Sequence, residues 1–273
     1  YRMVDKTVAS SLPAGSVAAL NFAQLIYQVP LGLLATPIAV SVYPTLSSLV
    51  VEKKEKEYAE VLKKTLSLLI FIMVPLSVVF IVYSVPIVKI LYQHGAFTSS
   101  ATSLTAFAVS MYSIGIFTLS ANGLFQRVFF SFKDTKTPLY ITIFVVIFNI
   151  AGDVLLSKIW GIGGIGLATA LSSIIAFFAY LFFIRRKRLI KNFSYKFLAK
   201  EGAKAGIASL FVFLTAVLFK NYLSLSSSFL TLIVRFAFVA AVLAAVYLLI
   251  AFASKSFGFV VFKFYVKKLL NKI

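Results

Sequence analysis

Few side chains in this 273-residue chain can do chemistry, and most of them fall where water should be scarce. Asn21, Gln24 and Gln28 recur at i, i+3 and i+7 in a stretch, 16–51, that has no charged residue. A helix would gather these three amides on one face. Amides are costly in hydrocarbon, so that face must meet other helices or a water-filled cavity. Two readings stay open: a ligand-lining stripe, or helix–helix hydrogen bonds of about 0.6 kcal/mol each. Asn149 and Asp153 repeat the pattern at i, i+4. Asp153 lies five residues before Lys158, so an interfacial ion pair is the simpler reading. A proton or cation site is the alternative, because intramembrane carboxylates often serve as one.

Arg2, Asp5 and Lys6 place three charges in five residues of a segment that should be crossing a membrane. They require a polar interior, and a cationic one would suit a phosphate or pyrophosphate. Pairing of Asp5 with Lys6 or Arg2 is the alternative. Arg235 falls six residues into the last apolar run and can snorkel to its end.

Much other chemistry is excluded. There is no cysteine, one histidine (His94) and only eight acidic residues, so no metal site and no cofactor is expected. No Walker, HExxH or GxSxG motif occurs, and the chain does not read as an enzyme. The run Gly161-Ile-Gly-Gly-Ile-Gly166 resembles a phosphate loop, but no basic residue follows it. It suits a tight connection between helices.

The elements that must position these residues are membrane spans. The chain is 61% hydrophobic and 13% charged, with mean hydropathy +0.99, whereas soluble domains average about 25% charged residues. Its apolar runs are too long and too continuous for a β-barrel. The expected class is an all-α polytopic membrane protein. A partial helix at 1–12 is followed by spans at about 16–51, 65–84, 101–125, 139–156, 165–184, 205–219 and 229–253. The chain begins with Tyr1 and no signal peptide, so the first helix reads as truncated and the chain as a fragment.

Charge orients these spans. Connections 52–64, 126–137 and 185–204 and the tail from 254 hold 21 of the 27 Lys and Arg; the alternate connections hold only Lys89, Lys158 and Lys220. The first set should be cytoplasmic, with the C-terminus. The net charge of +19 is therefore topological and faces membrane lipids; no nucleic-acid partner is expected. Parity makes 16–51 an odd number of crossings. One straight helix of that length would span roughly 50 Å against a core of about 30 Å. It must bend, tilt or project, and Pro30, Pro37 and Pro44 offer the kinks. Residues 53–64 read as a short interfacial helix with Tyr58, Val61 and Leu62 toward the membrane. The tail 254–273 reads as a basic amphipathic helix in the cytoplasmic interface, mixing Phe259, Phe262, Tyr265, Leu269 and Leu270 with Lys263, Lys267 and Lys268.

Several strings resemble one family. VDKTVASSLPAGSVAALNFAQLIYQVPLGLL (4–34), YPTLSS (43–48), HGAFTSSATSLTAFAVSMYSIGIF (94–117) and, most specifically, RVFFSFKDTKTP (127–138) are similar to the C-terminal lobe of the MurJ (MviN) lipid II flippases. Arg127, Asp134, Lys136 and Pro138 match that family's cytoplasmic signature. FNIAGDVLLSKIWGIGGIGLATALS (148–172) also fits, but related MATE and polysaccharide exporters share such runs.

The resemblance implies the second half of a fourteen-helix transporter of the MOP superfamily. Residues 1–184 would form the C-terminal six-helix lobe, 185–204 a basic cytoplasmic linker, 205–253 two extra helices that form a lipid-tail groove, and 254–273 the tail. It implies alternating access of two lobes around a central cavity in the bacterial inner membrane. The substrate would be lipid II, an undecaprenyl-pyrophosphate-linked peptidoglycan precursor needed for cell-wall synthesis and cell shape. The other partner would be a missing N-terminal lobe that supplies most of the cavity's cationic residues. Asn21, Gln24, Gln28, Arg2, Asp5 and Lys6 are the cavity candidates.

Two positions depart from the family. Its cavity arginine is replaced by Leu25, in Phe22-Ala23-Gln24-Leu25-Ile26, and its Arg-Gly-x-Phe becomes His94-Gly95-Ala96-Phe97. The alternatives are a polysaccharide-unit or drug exporter of the same superfamily, for which Asp5 and Asp153 are the only carboxylates available to hold a cation, and a non-transporting membrane scaffold.

Overall fold

Inside a bilayer each backbone polar group needs a partner within the chain, and a helix supplies one locally. The computed structural model is accordingly all-helical, with no strand among the described residues, 2–191, 193–224 and 229–270. Side chains are described for all of these except Arg2, Ser224, Lys268, Leu269 and Leu270.

Helix α1 (Arg2–Ser10) leads through a turn at Gly15 to α2 (Ser16–Pro30). A single wide π-type turn, Leu31–Ala35, joins α2 to α3 (Thr36–Val51). The three pieces make one 36-residue crossing. The wide turn directly follows Pro30, whose ring crowds the preceding turn and which has no N–H to donate.

Helix α4 (Glu55–Val82) merges the expected interfacial helix 53–64 with the span behind it. Glu55 and Glu57 stabilise its first turn, and no Gly or Pro breaks the junction. The expectation that Tyr58, Val61 and Leu62 face the membrane is corrected. Tyr58 and Leu62 are buried, Val61 is half-buried, and Tyr58 Oη lies 3.0 Å from Ser131 Oγ of α7 (Ile116–Ser131).

Between α4 and α7 lie α5 (Ser84–Tyr92), which hydropathy merges into a connection, and α6 (Ser99–Ser113). The expected span 101–125 is made of two helices, α6 and α7, bent by 47°. Gly115 sits at the bend. A Cβ there would lie 2.9 Å from the Ala170 Cα, so the bend lets two backbones approach closely.

Helical segment α8 (Lys136–Arg186) is a hairpin rather than one rod. Trp160 and Gly161 leave helical geometry, Gly161 with φ +54°, and the chain reverses there. Arms 136–159 and 162–186 run antiparallel: Asn149 Nδ2 meets Thr169 Oγ1, and Lys187 returns to Asp134. Near the tip a Cβ on Gly164 would overlap the Leu156 carbonyl and the Ser157 nitrogen. The glycine run makes this tight connection.

Helix α9 (Tyr195–Leu218) begins ten residues before the expected span. A short α10 (Lys220–Ser224), α11 (Phe229–Ala253) and α12 (Phe257–Leu270) follow. Buried Glu201 of α9 clamps the start of α12: its Oε2 accepts from Ser256 Oγ at 3.0 Å, the Phe257 N–H at 2.9 Å and the Gly258 N–H at 3.3 Å. Gly258 lets α12 lie against α4, since a Cβ would stand 2.6 Å from the Ser67 carbonyl oxygen. The tail helix therefore packs on protein along one side, where Phe259 and Phe262 meet Phe71, and leaves Phe264 and Tyr265 exposed.

The four crossings that run in one sense end alike, in α3, α7, the second arm of α8, and α11. After each, the residue two beyond the helix takes a left-handed conformation: Lys53, Lys133, Arg188 and Lys255, with φ of 56°, 59°, 50° and 49°. The next N–H then reaches back to the third-last helical carbonyl: Lys54 to Leu49, Asp134 to Phe129, Leu189 to Ile184 and Ser256 to Ala251. The described left-handed turns elsewhere, Gly15, Gly95 and Gly161, all carry glycine.

Two apolar clusters fill the bundle. One gathers Leu20, Tyr83, Val109, Ile165 and Leu243, the other Leu46, Leu62, Phe125, Phe129 and Tyr180. Outside, Phe144, Ile147, Phe178, Leu210, Leu230 and Leu249 stand exposed, a surface suited to lipid.

Candidate functional site

Helix α1 packs against both α2 and the first arm of α8. That placement brings Asp5 to Gln24 and Asp153, residues far apart in sequence. Asp5 is 2% exposed, Gln24 6% and Asp153 0%. Gln24 Nε2 donates to Asp5 Oδ2 at 3.1 Å and to Tyr112 Oη at 3.2 Å. Tyr112 stacks on Tyr27, ring centroids 4.4 Å apart. The carboxyls of Asp5 and Asp153 lie close enough to act on each other electrostatically. Asp5 Oδ1, both Asp153 oxygens and Asn149 Oδ1 receive no donor from the described residues.

The expected Asp153–Lys158 pair is corrected. Asp153 is turned inward, because five residues of helix carry Lys158 about 140° away from it. The pairing of Asp5 with Lys6 is likewise absent: Lys6 is exposed, and no ion pair is found for it among the described residues. The side chain of Arg2 lies outside the described residues.

Two neighbouring buried carboxyls carry two negative charges only at high cost. It holds together when one oxygen bears a proton or a cation lies between them. The surrounding unpartnered oxygens are hard donors, suited to a small cation. No group of three or more His, Cys, Asp or Glu that could hold a metal ion is found among the described residues.

The amide stripe divides. From Asn21, Gln28 is only about 20° round the helix, but Gln24 is about 60° away. Asn21 and Gln28 are half-buried and flank exposed Leu25, itself 59% exposed, whereas Gln24 turns into the bundle. The position at which the family resemblance expects a cavity arginine is thus on an open face, but as leucine. Arg235 behaves as a snorkelling residue: its Nη1 donates to the Tyr222 carbonyl at 3.0 Å and its guanidinium lies over the Tyr222 ring.

The signature residues do structural work at the foot of the hairpin. Asp134 accepts from the Thr137 N–H at 3.0 Å and its hydroxyl at 2.8 Å, and Lys187 Nζ from the other arm reaches both Asp134 Oδ2 and Thr137 Oγ1 at 2.6 Å. Burial alone would raise the Asp134 carboxyl; the Lys187 ammonium and the two Thr137 bonds outweigh it and hold it below the usual carboxylate range. Arg127 Nη1 donates to the Gly123 carbonyl at 2.7 Å, Pro138 is buried and Lys136 is exposed. Sequence reasoning missed Thr137, Lys187 and Tyr112. Thr137 meets Asp134 at the local i, i+3 spacing, whereas Lys187 becomes visible only when the hairpin closes. A tyrosine in an apolar helix gives no signal of its own.

A family model described as lipid II flippase MurJ matches residues 2–240. A probable lipid II flippase MurJ of Thermotoga maritima is 33% identical over 175 residues, 64% of this chain and 36% of that protein. One of Borreliella burgdorferi is 27% identical over 186 residues, 68% of this chain and 37% of that protein. The chain thus spans about a third of the length of the curated relatives it matches. The solved lipid II flippase MurJ in an inward closed conformation superposes with TM-score 0.71 at 27% identity, over 91% of this chain and 49% of that one. An outward-facing multidrug resistance MATE family transporter of the MOP superfamily shares the fold alone, with TM-score 0.59 at 16% identity, over 94% of this chain and 58% of that one. The residues matched by the model, the all-helical bundle and its likeness to the solved flippase place this membrane protein in the lipid II flippase MurJ family.

Proposed function

We propose that this chain acts as the C-terminal lobe of a transporter that moves lipid II across the bacterial cytoplasmic membrane by alternating access. The lobe rocks against an N-terminal one, and the polar headgroup crosses between them while the lipid tail stays in the bilayer. The observation that carries the reading, beside family membership, is the carboxyl pair buried behind an open helix face. Asp5 and Asp153 lie on α1 and α8, with Gln24 of α2 bonded to Asp5. Loading the pair with a proton or small cation alters the packing of α1 and α2. That gives an ion gradient a grip on the helices that border the open face. Asn21, Gln28 and Lys6 line that face, and the opposite lobe supplies the charge that Leu25 lacks. The basic helix ends are cytoplasmic, with the C-terminus.

Gln24 facing protein is the arrangement a non-transporting scaffold would need. Asn21 and Gln28 at the rim of the open face favour transport instead.

The test is rescue of a strain depleted of its own lipid II flippase. The chain with a complementary N-terminal lobe restores growth and lipid II translocation, and the chain alone does not. Joint substitution of Asn21 and Gln28 by Leu removes rescue but leaves membrane insertion intact. Full rescue by the chain alone refutes the two-lobe mechanism. A C-terminal reporter active only in the cytoplasm checks the orientation.

A further inference from the structure

Where the second arm of α8 ends and α9 begins, the chain borders an open hollow of about 720 Å³, within the range of about 300–1,000 Å³ typical of ligand sites. Arg185, Arg186, Arg188 and Lys191 supply its charge, and Phe182 and Tyr195 its apolar rim. Lys191 is paired with Glu55 at 2.9 Å. Among the described residues no carboxylate pairs with any of the three arginines. The hollow therefore offers three uncompensated guanidinium groups beside exposed aromatic surface at the end of a membrane span.

Arg188 adds an independent sign. It holds the left-handed position of the helix cap, φ +50°, where glycine fits without strain. The glycine turns show that this chain uses glycine elsewhere, yet all four caps at this end carry Lys or Arg. A charge placed where backbone geometry argues against a side chain is doing something other than turning the chain. It adjoins helix-end carbonyls, which a cation stabilises, but Arg185 and Arg186 in the last turn already supply that.

We propose that this hollow seats the headgroup of an anionic phospholipid, its phosphate held by Arg185, Arg186 and Arg188 and its acyl chains lying along Phe182. Guanidinium forks match phosphate oxygens in pairs, and clusters of Lys and Arg just beyond the cytoplasmic end of a span attract anionic headgroups. Assignment to the inner leaflet rests on the orientation proposed above; binding itself does not.

The test uses the purified full chain, stripped of lipid and offered phosphatidylglycerol or phosphatidylcholine, with retained lipid counted by native mass spectrometry. The wild type is expected to retain phosphatidylglycerol about tenfold more. Arg188→Gly is expected to lower that about fivefold, the worth of one basic residue at a charged surface, while the thermal midpoint in neutral detergent holds or rises. Arg185→Gln with Arg186→Gln should lower retention further. Equal retention of both lipids overturns the proposal. So does a lowered midpoint in Arg188→Gly with phosphatidylglycerol retention intact, since the arginine is then structural. Displacement of the lipid by equimolar inorganic phosphate also overturns it, because the seat then takes a free anion.

Discussion

Asp153→Asn replaces one carboxyl of the buried pair by an amide of nearly the same shape. In the wild type the two carboxyls are buried close together, and no Lys, Arg or His pairs with either among the described residues. Two like charges at about 4 Å repel by about 4 kcal/mol at an effective dielectric near 20. A bound proton or cation removes that cost. The asparagine amide is uncharged and removes the need for either. The wild-type thermal midpoint in detergent is therefore expected to depend on pH or on monovalent cation, and the variant to lose that dependence. At about 2–4 °C per kcal/mol, the full effect is about 8–16 °C. Transport by the two-lobe protein should fail, since the pair can no longer cycle between loaded and empty. A wild-type midpoint indifferent to both pH and salt refutes the reasoning. Undiminished transport by the variant refutes the coupling role.

Four further outcomes follow from local geometry. Gln24→Leu removes the donor to Asp5 and Tyr112 and should lower stability by about 1–3 kcal/mol, read as a thermal midpoint in detergent. Gly164→Ala pushes a methyl into the Leu156 carbonyl. It should open the hairpin tip, lowering the folded yield of purified protein well below that of a control Gly202→Ala, where a Cβ meets nothing. Glu201→Gln weakens three bonds that hold α12, at a cost of about 2 kcal/mol; faster hydrogen exchange confined to α12 would show it. Asp134 is held below the usual carboxylate range, so its contribution is complete above that range and is lost as pH falls through the lowered value. Asp134→Asn should cost about 1 kcal/mol at neutral pH, because Lys187 is 41% exposed, and the difference should vanish in acid.

Helix existence was legible because hydropathy and charge act locally. The run ending at Ala253 ends with α11, and the wide turn after Pro30 lies where the ring forces it. Helix length was less legible. Lys and Glu at 53–64 mark polarity but do not break a helix, so α4 ran on through them, and α9 began early for the same reason. The bend at Gly115 depends on the backbone of Ala170 lying opposite, which no window of sequence contains. The same limit applied at the site. Spacing put Asn21, Gln24 and Gln28 within a 60° sector, but burial begins inside that sector and only Gln24 falls on the buried side.

Apolar length, alternating loop charge and the Arg127–Pro138 signature determined that this is a multi-spanning helical protein of one recognisable family, because each is a property of the chain read in order. Only the tertiary structure decided that Asp5 and Asp153 share one pocket, and that Lys187 returns to Asp134. Both depend on which helix lies beside which, and packing sets that through contacts more than fifty residues apart.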